Sequence, residues 1–101
     1  MRIYLFRHGI AWDRNDPLCP PDIERPLTHK GIQKTEAAAL GIRQLKLNID
    51  QVWVSSYVRA QETLKYSAPL LGIESISADV FEDMAPWGSV STFLKRVRST
   101  Q

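Results

Sequence analysis

The sequence predicts an α/β domain in which a mainly parallel sheet is flanked by helices. Three observations carry that expectation. Ile3-Tyr4-Leu5-Phe6 is a continuous apolar run of β-branched and aromatic residues, the pattern of a strand buried on both faces. Val52-Trp53-Val54 repeats that pattern. Stretches of helical character separate and follow these runs, so the order reads strand, loop, helix, strand, helix, strand, helix. Alternation of this kind implies parallel strands with helices packed on them.

Each element has its own local signals. From Gly9 to Pro26 the chain is polar and proline-rich, without helical or strand periodicity, and a loop this long is a candidate for function. Thr28 is a helix N-cap, opening a helix from about His29 to Lys46 with an apolar side of Ile32, Leu40, Ile42 and Leu45. Ala37, Ala38 and Ala39 favour it by propensity. Ser55 or Ser56 caps a second helix that runs from about Tyr57 towards Leu71. Pro69 should kink or end that helix, and Gly72 closes it. Ile76, Ala78 and Val80 alternate with polar residues as a third strand. Pro86 and Gly88 suggest a turn, and Ser89 caps a last helix with Val90, Phe93, Leu94 and Val97 at helical spacing. The reading gives one domain, 1–101.

Composition narrows the function classes. The chain has 101 residues, 44% hydrophobic and 24% charged, with a formal net charge of +2. A balance that slight does not call for nucleic acid or an acidic membrane as partner. Lys95, Arg96 and Arg98 read as the wet face of the last helix. No apolar stretch approaches the roughly 20 residues of a membrane span, and the expectation is a cytoplasmic protein. Cys19 is the single cysteine, so no disulfide forms within the chain and no zinc-ligand spacing exists. Flanked by Pro17, Pro20 and Pro21, it reads as a passive loop thiol.

The chemistry concentrates in three segments. In open α/β sheets, ligands bind outside the carboxyl ends of the strands. Arg7-His8-Gly9 ends the first expected strand, and Ser55-Ser56 with Arg59 follow the second, so the two should meet at one sheet edge. Arginine offers a planar fork matched to two phosphate oxygens. Neutral imidazole is a nucleophile near neutral pH. Gly9 lets the backbone approach a ligand, and Arg59 lies where a helix start favours an anion. Together they suggest phosphoryl transfer without a metal or cofactor: no carboxylate cluster resembles a magnesium site, and no G-x-x-x-x-G-K loop is present. Taken singly, His8 could be a strand-end histidine, Arg59 a solvated helix residue and Arg25 a loop charge. The combination favours a site.

Arg7-His8-Gly9-Ile10-Ala11, Arg25-Pro26-Leu27-Thr28 with Gly31, and Ser55-Ser56-Tyr57-Val58-Arg59-Ala60 with Thr63 resemble the histidine phosphatase superfamily. Within it they look most like the SixA-type phosphohistidine phosphatases. The stretch Glu82-Asp83-Met84-Ala85-Pro86-Trp87-Gly88 is similar to a turn of that branch. The resemblance covers nearly the whole chain. It implies a phosphoglycerate mutase-like three-layer sandwich. It also implies that His8 is the nucleophile that becomes phosphorylated, that Arg7 and Arg59 bind phosphate, and that Arg25 and the Gly9 backbone face it. Thr28 keeps a structural capping role, and Glu82 reads as a surface carboxylate.

The sequence departs from the family in one respect. Members carry a second active-site histidine late in the chain, whereas here His8 and His29 are the two histidines, and His29 falls at a variable helix position. The chain therefore looks like the family's amino-terminal part, whether as a fragment, a shortened product or a natural short form. An incomplete sheet would expose an edge, and pairing of two copies through it is expected. Three functions follow. The first is a phosphatase acting on a phosphohistidine protein through phospho-His8. The second is a module that binds phosphate or phosphoprotein with little turnover. The third is a broad phosphatase of small phosphomonoesters.

Overall fold

A computed structural model describes residues 3–81. The expected turn at Pro86 and Gly88, the helix capped by Ser89, Glu82 and the basic triplet Lys95, Arg96 and Arg98 lie outside the described residues.

Within them a short 3₁₀ turn, Asp22–Glu24, precedes helix α1, His29–Arg43. Strand β1, Val52–Val54, helix α2, Val58–Leu71, and strand β2, Ala78–Val80, follow. The strands are parallel, with Val52 opposite Ala78, Trp53 opposite Asp79 and Val54 opposite Val80. The Phe81 N–H donates to Val54 O at 2.8 Å, carrying the ladder one step further. Trp53 and Phe81 meet edge to face, their centroids 5.6 Å apart. The β1–α2–β2 crossover is thus the parallel unit that the alternation implied.

The first expected strand does not form. Ile3, Tyr4, Leu5 and Phe6 belong to no strand and are 53%, 46%, 81% and 38% exposed. A β-rich run supplies the capacity to pair but not the partner. Among the described residues the sheet consists of β1 and β2. The segment from Leu5 to Gly9 instead borders α1 across an open cleft of about 330 Å³.

α1 begins as the sequence predicts: the Thr28 hydroxyl accepts the Gly31 N–H at 3.0 Å. It buries the expected side only in part: Ile32 and Ile42 are half-buried, and the helix ends at Arg43, before Leu45. Gly31, Thr35 and Ala39, spaced by four, are its buried residues, while Leu40 and Leu45 are 48% and 67% exposed. Small residues win here because another segment crosses the helix at very short range. A Cβ on Gly31 would collide with Ile10 O, and one on Gly9 would lie 2.8 Å from Gly31 O.

α2 packs against α1. Of its buried residues, Arg59, Thr63 and Ser67 also fall at spacing four, with Ala68 beside them. Their hydroxyls are satisfied within the helix: Thr63 Oγ1 donates to Arg59 O and Ser67 Oγ to Thr63 O, both at 2.7 Å. Neither serine caps α2 directly. Tyr57 is the N-cap, without a side-chain bond, and Ser55 Oγ, two residues upstream, accepts the Tyr57 N–H at 3.1 Å. Pro69 does not stop the helix, which runs to Leu71. Gly72 ends it with φ 71°, a left-handed conformation that costs glycine little.

Candidate anion site

The loop from Gly9 to Pro26 is built by local hydrogen bonds. Trp12 N–H donates to Pro26 O and Thr28 N–H to Ile10 O, both at 2.8 Å, around an antiparallel bridge between Ala11 and Leu27. Asp16 ties the outer bend, accepting from Trp12 Nε1 at 3.0 Å and the Leu18 N–H at 2.9 Å. These two bonds, against a small desolvation penalty, hold its carboxyl below the usual range. Cys19 is half-buried with a free thiol. The inner end of the loop is fastened to α2, where Glu62 Oε1 accepts the Leu27 N–H at 2.7 Å. The sequence reading missed Glu62. A carboxylate 35 residues away in sequence leaves no local signal of that contact.

Two of the expected phosphate-binding arginines meet at this ribbon. Arg25 and Arg59 are 8% and 6% exposed, deep burial for guanidinium groups. Arg25 Nη1 donates to Trp12 O, and Arg59 Nη1 to Asp22 O, both at 2.9 Å. Asp22 Oδ1 lies 3.2 Å from Arg25 Nη2 and 3.2 Å from Arg59 Nη1. The Arg59 guanidinium also sits over the Tyr57 ring, 4.6 Å from its centroid. Arg25 Nε is buried without a hydrogen-bond partner.

Asp22 is the second residue the sequence reading missed. Its signal was its position, three residues before Arg25 on a single 3₁₀ turn. Desolvation pushes its carboxyl up. The Arg59 charge and hydrogen bond, then the Arg25 and Arg14 charges, outweigh that and hold it below the usual carboxylate range.

Arg7 and His8 belong to the segment that borders α1. Both are exposed. Arg7 lines the cleft with Leu5, Phe6, Gly9, Lys34 and Thr35. His8 is placed by its neighbour Gly9, which is pressed against Gly31 and Thr35 of α1. His8 Nδ1 bonds Gly9 O at 2.7 Å. A carbonyl oxygen only accepts, so Nδ1 is the donor in this bond, and Nε2 is the nitrogen left to present a lone pair. His29 is exposed on α1 with its Nε2 3.3 Å from Gln33 Nε2. Among the described residues no group of three or more His, Cys, Asp or Glu could hold a metal ion.

Residues 3–91 match the family model of the histidine phosphatase superfamily, branch 1. An uncharacterised protein of Picosynechococcus sp. strain PCC 7002 is 40% identical over 95 residues, covering 93% of this chain and 54% of that protein. The phosphohistidine phosphatase SixA of Escherichia coli K12 is 33% identical over 91 residues, covering 89% of this chain and 53% of that protein. The chain thus spans about half the length of these curated relatives. Among solved structures, the protein histidine phosphatase SixA complexed with tungstate superposes with a TM-score of 0.81 at 30% identity, over 92% of this chain and 56% of that one. A putative phosphohistidine phosphatase SixA from Agrobacterium tumefaciens shares the fold, with a TM-score of 0.73 at 18% identity over 91% of this chain and 56% of that one.

Proposed function

The chain belongs to the histidine phosphatase superfamily, and from that premise we propose that it is a metal-free phosphatase working through a phosphohistidine at His8. The supporting observation is the His8–Gly9 hydrogen bond, which orients the imidazole and leaves Nε2 as the nucleophilic nitrogen. In the proposed first step Nε2 attacks phosphorus, the new N–P bond forms and the bond to the leaving group breaks. The leaving group takes a proton from solvent. In the second step water attacks phospho-His8, releases inorganic phosphate and returns the electron pair to Nε2. Arg7, Arg25, Arg59 and the Gly9 backbone would hold the phosphoryl oxygens, with cations in place where charge develops.

The substrate reading follows the relatives. SixA of E. coli is a phosphohistidine phosphatase, and a solved SixA binds tungstate, an oxyanion of phosphate-like shape. A phosphohistidine on a protein is accordingly the proposed substrate, with small phosphomonoesters as the less selective alternative. Rates on a phosphohistidine peptide and on an aryl phosphate, for wild type and His8→Ala, test both parts. The proposal expects faster turnover of the peptide and loss of both activities in His8→Ala. Unchanged rates in the variant would sink it.

One observation favours a second reading, a phosphate- or phosphoprotein-binding module with little turnover. The chain carries two histidines, and His29 is engaged with Gln33 on the exposed side of α1. No second imidazole therefore joins His8 among the described residues. Phosphate binding without His8-dependent hydrolysis is the signature of that module.

A further inference from the structure

Asp22 has no role in the phosphatase reading, yet its carboxylate is the group on which both buried arginines converge. It is not needed to hold them. Each guanidinium has a separate main-chain anchor, Trp12 O for Arg25 and Asp22 O for Arg59. Arg59 is further seated on the Tyr57 ring. The side chain of Asp22 is itself 52% exposed, so the carboxylate sits at the solvent end of the pair and can swing away.

The match is also incomplete. A single oxygen, Oδ1, serves both guanidiniums at 3.2 Å, long for a charge-assisted bond, and Arg25 Nε stays unpartnered. A tetrahedral oxyanion offers more acceptors and a higher charge than this carboxylate does. We infer that the Asp22 carboxylate is an internal counter-anion on Arg25 and Arg59, standing where a phosphoryl oxygen binds and giving way to it. The inference rests on the reading of these arginines as phosphate ligands. It adds that Asp22 sets how tightly phosphate is held, weakening retention of the product by competing for the same donors.

The test is titration with inorganic phosphate at low ionic strength, wild type against Asp22→Asn, with binding followed by calorimetry. The isosteric amide removes the charge and leaves the main-chain anchors. Phosphate should bind the variant about two- to fivefold more tightly, the scale of an exposed ion pair, and its inhibition constant against an aryl phosphate should fall by the same factor. Equal or weaker binding by the variant overturns the inference, as does an absence of phosphate binding in both proteins. Should the variant fail to fold, the Asp22 carboxyl carbon signal of the wild-type protein is read by NMR instead. It should move on saturation with phosphate, and a stationary signal overturns the inference. Failure here stands apart from failure of the phosphatase reading, which is judged by His8-dependent turnover. A protein that binds phosphate more tightly as Asp22→Asn but never turns over supports this inference and refutes that reading.

Discussion

Gly31 lies against the carbonyl of Ile10 so closely that no side chain fits between them. This crossing of the loop over α1 places Gly9, and through it His8. Gly31→Ala should therefore cost about 1–3 kcal/mol, because the obstacle is backbone and cannot rotate away. Gly41, in the same helix, has nothing within 4 Å of its would-be Cβ. Gly41→Ala should stabilise by about 0.5–1 kcal/mol through helix propensity. Urea denaturation of the two variants checks the contrast, and equal shifts would contradict the crossing.

Glu62 holds the Leu27 N–H beside the Arg25-Pro26 turn. Leu27 is 6% exposed, so its donor has little water to turn to. Glu62→Ala should destabilise by about 1–3 kcal/mol, the range for stranding a buried donor. Glu62→Gln keeps an acceptor oxygen and should lose clearly less. Chemical denaturation of both variants, compared at one pH, makes the distinction.

Asp22 and Asp16 give the stability a pH dependence of defined sign. Both carboxyls titrate lower in the folded chain than the usual value, about 3.9. The folded state then binds fewer protons than the unfolded one, so each contribution is fully present above that value. It is lost as pH falls through the folded-state pKa. The melting temperature should be flat from neutral pH to about 5 and drop below 4. In Asp22→Asn part of that acid drop should vanish, with a small loss already present at neutral pH.

Arg59 is required as a fork and not only as a charge. Arg59→Lys keeps the cation but cannot contact Asp22 O, Asp22 Oδ1 and the Tyr57 ring with one planar group. Turnover of an aryl phosphate should fall by about 100-fold, the scale for removing one oxyanion donor. A loss under tenfold, with the fold intact by circular dichroism, would place Arg59 outside the phosphate site.

The sequence carried the elements whose signals are local. Thr28 capping α1, Val52–Val54 as β1 and Gly72 closing α2 all depend on near neighbours, and the structure holds each of them. What it did not carry was who packs on whom. Ile3–Phe6 has the composition of a buried strand but no ladder to join among the described residues. Leu40 and Leu45 were expected on the buried side of α1 but are exposed, while the helix with the tight crossing at Gly31 buries Thr35 and Ala39. Arg25 and Arg59 were visible as phosphate candidates through motif resemblance. Their common partner Asp22 was not: three residues before Arg25 is a spacing that any turn offers, and its contact with Arg59, 37 residues away, leaves no local signal.

The central claim is that His8 accepts the phosphoryl group at Nε2. The most direct measurement is to quench the protein in alkali during turnover of a phosphorylated substrate and locate the phosphoryl group by NMR and peptide mass spectrometry. The account predicts an acid-labile phosphoryl group on His8, attached to Nε2, with His29 unmodified. Attachment at Nδ1 or on His29, or turnover without any phosphorylated histidine, would contradict it.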